Sequence, residues 1–152
     1  MMVDTILLWC FFFVGFVLFL FSLRKPPIKD WLLAFFLSTF FATVLGTVVI
    51  YFGLIEYFKL GDGFHSNIIY ELVLLPVIST YFYQTSYSSG LLIAVFQCFL
   101  YTLVLTIAEI LIKKYTNLIN YIHWNWFVTF ITVFLFLFGM RTLLKFINQK
   151  SE

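Results

Sequence analysis

Two glutamates, Glu71 and Glu109, stand inside stretches otherwise apolar enough to cross a bilayer. A charge at the centre of a membrane helix costs about 3 kcal/mol on insertion scales, so such residues face a protein interior or a wet cavity. Carboxylates placed this way can hold a cation, a proton or a small polar ligand. Lys113 follows Glu109 by one helical turn, in the Glu-then-Lys order that favours a pair. With His123 in the loop beyond, Glu71, Glu109, Lys113 and His123 form the candidate polar cluster. Ordinary interface chemistry explains the same residues: aromatic belts, snorkelling lysines and a glutamate paired one turn away. Glu56, Tyr57, His65, Lys114, Trp124 and Trp126 belong to the same side of the chain's expected topology.

Other chemistry is thinner. The two histidines and two glutamates have the atoms of a His/carboxylate site, but no pair has metal-ligand spacing, so no metal is expected. Cys10 and Cys98 fall in different apolar runs and read as small apolar fillers rather than a disulfide. There is no Gly-x-Ser-x-Gly, His-Glu-x-x-His, phosphate loop or dinucleotide fingerprint. The chain therefore leans away from an enzyme, and no cofactor is expected. Arg141 and the loop Arg24-Lys25-Pro26-Pro27-Ile28-Lys29-Asp30 read as topology and anchoring, with Arg141 snorkelling toward headgroups.

The elements that must position these groups follow from composition. Of 152 residues, 63% are hydrophobic and 11% charged, against about 25% charged in soluble domains. Lipid must cover what charge does not. A net charge of +2 with dispersed Lys and Arg argues against nucleic acid as a partner. Five apolar runs approach the ~20 residues a spanning helix needs: 5–23, 31–54, 68–84, 91–112 and 126–144. The expected fold is all-α, a polytopic membrane protein forming a bundle of five transmembrane helices, with 1–152 as a single integral membrane domain. Gly61-Asp62-Gly63 marks a turn. The first span lacks a basic leading region and a small-residue cleavage site, so it is expected to be retained.

Counting basic residues orients the bundle. Arg24, Lys25, Lys29, Arg141, Lys145 and Lys150 fall on one side, and Lys59, Lys113 and Lys114 on the other. Six against three predicts an outer N-terminus and a cytosolic C-terminus.

Helical spacing separates packed from lipid-facing positions. Ala94, Cys98, Thr102, Thr106 and Glu109 recur every three or four residues and make one stripe. Ser38, Ala42 and Gly46 repeat the small-xxx-small spacing, with Gly53 near the same face; Thr129, Thr132 and Gly139 share a side of the last helix. Small and hydroxyl residues let membrane helices approach and bond across. Pro76 frees a carbonyl and is expected to kink the third helix. Ser79, Thr80, Tyr83 and Gln84 make that helix polar, which places it centrally, surrounded by protein.

A family resemblance rests on several segments. They are Ser22 through Trp31, Tyr70-Glu71-Leu72 to Pro76, Tyr83-Gln84-Thr85, and Glu109 through Lys114-Tyr115-Thr116 to Trp124-Asn125-Trp126. Together they resemble an uncharacterised family of small multi-pass membrane proteins from spore-forming Gram-positive bacteria. The resemblance implies a bacterial plasma-membrane location and names no activity or site residue. Two readings of function follow. One is a non-enzymatic accessory or sensory subunit, with the bilayer and a protein partner or second copy as its partners. The other is a small ion- or proton-coupled transporter using its outer-face glutamates, although no inverted repeat accompanies it.

Overall fold

Proline has no amide donor and disfavours a helical residue before it, so Pro26 and Pro27 stop the first apolar run and allow a second to start. In the computed structural model α1 is Met2–Ser22 and α2 is Ile28–Tyr51. The structure describes residues 2–149 except Phe58, Asp62, Gly63 and Ser66. Two residues of the expected 61–63 turn, and Lys150 of the basic count, therefore lie outside the described residues, as do the side chains of Lys59 and His65. The Trp31 indole donates to the Lys25 carbonyl at 2.6 Å and ties the turn between the two helices.

The second helix ends three residues earlier than its hydrophobicity suggests, and Gly53 is the reason. Its φ of +63° is a left-handed value that glycine adopts without steric cost. Gly53 N donates to Ile50 O and Leu54 N to Val49 O, the two bonds of a Schellman stop. Gly53 is thus a helix terminator and not part of the packing stripe.

Short strands β1 (Ile55–Tyr57), β2 (Lys59–Gly61) and β3 (Phe64–His65) follow. The third expected span is not one regular helix. It is α3 (Asn67–Ile69), a π-helical turn (Tyr70–Leu74) and α4 (Leu75–Ser86). Pro76 cannot donate to the carbonyl one α-turn back, and the ladder widens just before it: Leu75 N–H reaches Tyr70 O. The expected kink is therefore a π turn, of the kind that recurs at functional sites. At 12 residues, α4 is too short to join the four helices that are long and apolar enough to cross a membrane: Val3–Ser22, Ile28–Tyr51, Leu91–Tyr115 and Trp126–Gln149.

Next come α5 (Leu91–Tyr115), β4 (Ile119–Tyr121) and α6 (Trp126–Gln149). The helical class holds, with four long apolar helices around the broken one. α4 touches α1, α2, α5 and α6, and most of its residues are buried, Phe82 and Tyr83 among them. That is the central position its polarity predicted. A row of unpaired hydroxyls would be costly there; Ser79 instead accepts from Ser38 at 2.8 Å, and Thr80 donates to Pro76 O at 2.8 Å. The stripe residues Ser38, Ala42, Cys98, Thr102 and Thr106 are all buried. Gly139 is not, and a Cβ there would meet nothing within 4 Å. Gly15, by contrast, lets the Val73 side chain of the π turn lie against α1.

At one end of the bundle the two long connections are zipped together. β1 pairs antiparallel with β4, matching Ile55 with Tyr121 and Tyr57 with Ile119. Ile122 N and His123 N both donate to Leu54 O. The opposite end carries the turn between α4 and α5.

Candidate functional site

Glu71 and Glu109 meet at one cavity under the paired strands. Glu71 comes from the π turn and Glu109 from α5, and they are 6% and 7% exposed. Both line a cavity of about 80 Å³ together with Tyr57, Tyr70, Trp124 and Gly46. Most of the remaining wall is apolar, from α2, α4 and α6: Ala42, Leu45, Val49, Leu75, Val133 and Phe136.

Each carboxylate is seated by its neighbours. A Cβ on Gly46 would fall on the Glu71 carboxylate, so glycine at this position is the space the carboxylate occupies. The small-xxx-small stripe of α2 thus ends in a notch for an acid as well as a helix contact. At Glu109, one oxygen collects the donors. Tyr121 Oη donates to Oε1, and Thr129 Oγ1 donates to the same atom at 3.0 Å. Trp124 Nε1 donates to Thr129 Oγ1 at 2.7 Å. The second oxygen, Oε2, receives no hydrogen bond among the described residues.

The expected ion pair is not made. Lys113 Nζ lies over the Tyr121 ring, 3.8 Å from its centroid, in a cation–π contact. It contributes a favourable field at Glu109 without touching it, because Tyr121 stands between the two. His123 is exposed and takes no part in the cavity. Of the four candidate residues, the structure joins the two glutamates, holds Lys113 at the rim and leaves His123 outside. Among the described residues no group of three His, Cys, Asp or Glu could hold a metal ion.

The groups that complete the site come from the strands and loops. Tyr57 and Tyr121 sit on β1 and β4, and their phenols are held well above the ordinary tyrosine value. Burial is the larger cause in both, followed by the carboxylate of Glu109. Neither phenol ionises near neutrality, so Tyr121 remains a donor to Glu109. Tyr70 lines the cavity too, with a hydroxyl that is shut off from solvent and has no hydrogen-bond partner among the described residues. Composition points to Thr129 through its stripe. Nothing in the residue pattern points to Tyr121, since pairing of two distant loops leaves no periodic mark over three residues.

The other end buries a charge in a different way. Arg141, 5% exposed, does not snorkel as its terminal position predicted. Its guanidinium donates to Ser86 Oγ and Ser86 O at 3.1 Å and to Ser89 O at 3.0 Å. These carbonyls lie at the C-terminal end of α4, where the helix dipole favours a cation. Nearby, Asn148 Nδ2 donates to Tyr83 Oη at 2.9 Å. No family model, curated protein or solved structure matches this chain.

Proposed function

We propose that this chain is a multi-pass protein of a bacterial plasma membrane whose Glu71–Glu109 cavity exchanges protons with a small cation, as in a small ion-coupled transporter. One observation carries the reading: Glu109 is buried beside a cavity, forms no ion pair among the described residues, and has one oxygen with no donor. A buried carboxylate whose bonding is only half met is costly to keep charged, and a proton or a cation sharing its site would offset that cost.

The membrane setting rests on the four long apolar helices and on the large side chains they expose, among them Phe36, Phe40, Leu92, Phe96 and Val104. Water tolerates no apolar surface of that extent on a monomer. An outer strand-paired end, with the cavity in the outer half, is supported by the bias of basic residues toward the α1–α2 turn and the end of α6. The family of small membrane proteins from spore-forming bacteria that the sequence resembles fits this setting.

A sensory or accessory subunit is the second reading, favoured by the Arg141 hydrogen bonds. They lock α6 to the α4–α5 turn, so a path through that end would have to break all three. Such a protein would bind its cation from one side only and report it to a partner.

The test is proton release on a cation jump, measured with an impermeant pH dye on protein reconstituted in liposomes. Release is expected in the parent protein and its loss in Glu109→Gln. Flux of the cation with release marks a transporter, and release without flux marks the sensor. Equal release by parent and variant overturns the assignment of the site.

A further inference from the structure

The last turns of α6 carry Arg141, Lys145, Asn148 and Gln149 at helical spacing, on one side of the helix. Arg141 donates to a hydroxyl and two carbonyls. These acceptors are neutral, so its donors are met while its positive charge is not cancelled. Lys145 lies one turn further on, half-buried, and its ammonium makes no hydrogen bond or ion pair among the described residues. The charge that acts on it is Arg141, and like charges one turn apart repel. Asp30, the acid of the α1–α2 turn, pairs with neither cation among the described residues. Two cations thus share one helix end with no anion to offset them.

Lys145 lines an open pocket with Tyr87, Asn148 and Gln149, and no described carboxylate lines it. The fold holds this wall in place. The Tyr87 ring stands edge-on to Trp31 and Tyr83, with centroids 6.5 and 5.6 Å away. Asn148 is tied to Tyr83 Oη. An ammonium that can only donate, a phenol and two amides suit an oxyanion with several acceptor oxygens. We infer that the pocket holds the phosphate of an anionic phospholipid, an inference that rests on the membrane setting and not on the carboxylate cavity. Hydrogen bonds from an ammonium to phosphate are roughly twice as strong as neutral ones, and basic pockets at the cytoplasmic ends of membrane helices take such headgroups. A free phosphate shares this chemistry. The surrounding surface selects the lipid: Phe146 on α6, and Leu91 and Leu92 just after the carbonyls that Arg141 binds, are exposed and suit acyl chains. A headgroup bearing a quaternary ammonium is disfavoured by the same two cations.

Native mass spectrometry of the whole protein, released from a neutral detergent, tests this with phosphatidylglycerol and phosphatidylcholine of identical acyl chains. Inorganic phosphate serves as the competitor. The parent protein is expected to retain one phosphatidylglycerol per chain, about tenfold more tightly than phosphatidylcholine. Lys145→Gln is expected to weaken it about tenfold, the loss of one hydrogen bond between charged groups, and Lys145→Arg to restore most of the affinity. Lys29→Gln removes an exposed lysine of the same end that lies outside the pocket, and should change the affinity less than about twofold. Equal losses in the Lys145 and Lys29 variants overturn the inference, because a diffuse basic surface would then account for binding. Equal retention of the two lipids by the parent overturns it without any variant having to fold. Displacement of the lipid by millimolar phosphate overturns it too, and makes the pocket a site for a soluble anion. Proton release that depends on Glu109 stands or falls separately from all three.

Discussion

Each end of this bundle buries a charge, and the two are satisfied in opposite ways. At the turn end, Arg141 spends its guanidinium on the Ser86 hydroxyl and on the carbonyls of Ser86 and Ser89, so the fold itself is the counter-group. At the strand end, Glu109 collects two hydroxyl donors on one oxygen and leaves the other against a cavity that Glu71 shares. A buried charge whose hydrogen bonds close within the protein is a staple. One that faces a cavity with its bonding incomplete is a site. Burial alone does not separate them, since Arg141 and Glu109 are 5% and 7% exposed.

The largest expected effect breaks the staple. Arg141→Met keeps most of the side-chain volume and removes every donor, leaving two carbonyls and a hydroxyl without their partner. At 1–3 kcal/mol for each unmet buried group, with relaxation recovering part, a loss of roughly 3 kcal/mol follows. Unfolding in a mixed-detergent titration reads it, and proton release per folded molecule should be unchanged. A loss below about 1 kcal/mol would mean that the carbonyls find other donors and that the comparison between the ends fails.

A smaller effect is expected at the seat of Glu71. Gly46→Ala puts a methyl group where the carboxylate lies, and overpacking of this kind costs roughly 1–3 kcal/mol. Gly139→Ala is the control, because open space surrounds that position. The first variant should lose both stability and cation response in the same assays, and the second neither. If the two glycines behave alike, Glu71 is not held by the notch on α2.

The contrast also explains what the residue pattern could reveal. Polarity in an apolar segment marked Glu71 and Glu109 as inward, and serine and threonine spacing marked the faces of α2 and α5, because both signals arise from burial in a helix. The polar third segment was legible as central for the same reason. What a residue's neighbours do was not legible. Arg141 has the position of a snorkelling residue, and only the fold brings the α4–α5 turn opposite it. Gly53 shares the periodicity of the packing stripe, yet its backbone conformation makes it a stop. Tyr121 carries no signal at all, since its place beside Glu109 depends on a strand pairing between residues some sixty positions apart.

The smallest expected effect concerns the strands over the cavity and sharpens the view that they seal it. Tyr57 and Tyr121 have phenols raised above the ordinary value, by burial first and by Glu109 second. In an unfolded chain both would ionise near pH 10. A group that holds its proton more tightly when folded adds stability that is intact below the unfolded value and declines as pH climbs above it toward the folded value. Stability should therefore be flat through neutrality on account of these two groups and fall above about pH 10. Phenolate absorbance gives the direct reading. Comparison of the parent with Tyr57→Phe and Tyr121→Phe should assign two late-titrating phenols to these positions. Early ionisation of either one would place it in water, and the paired strands would then be an open rim instead of a cover.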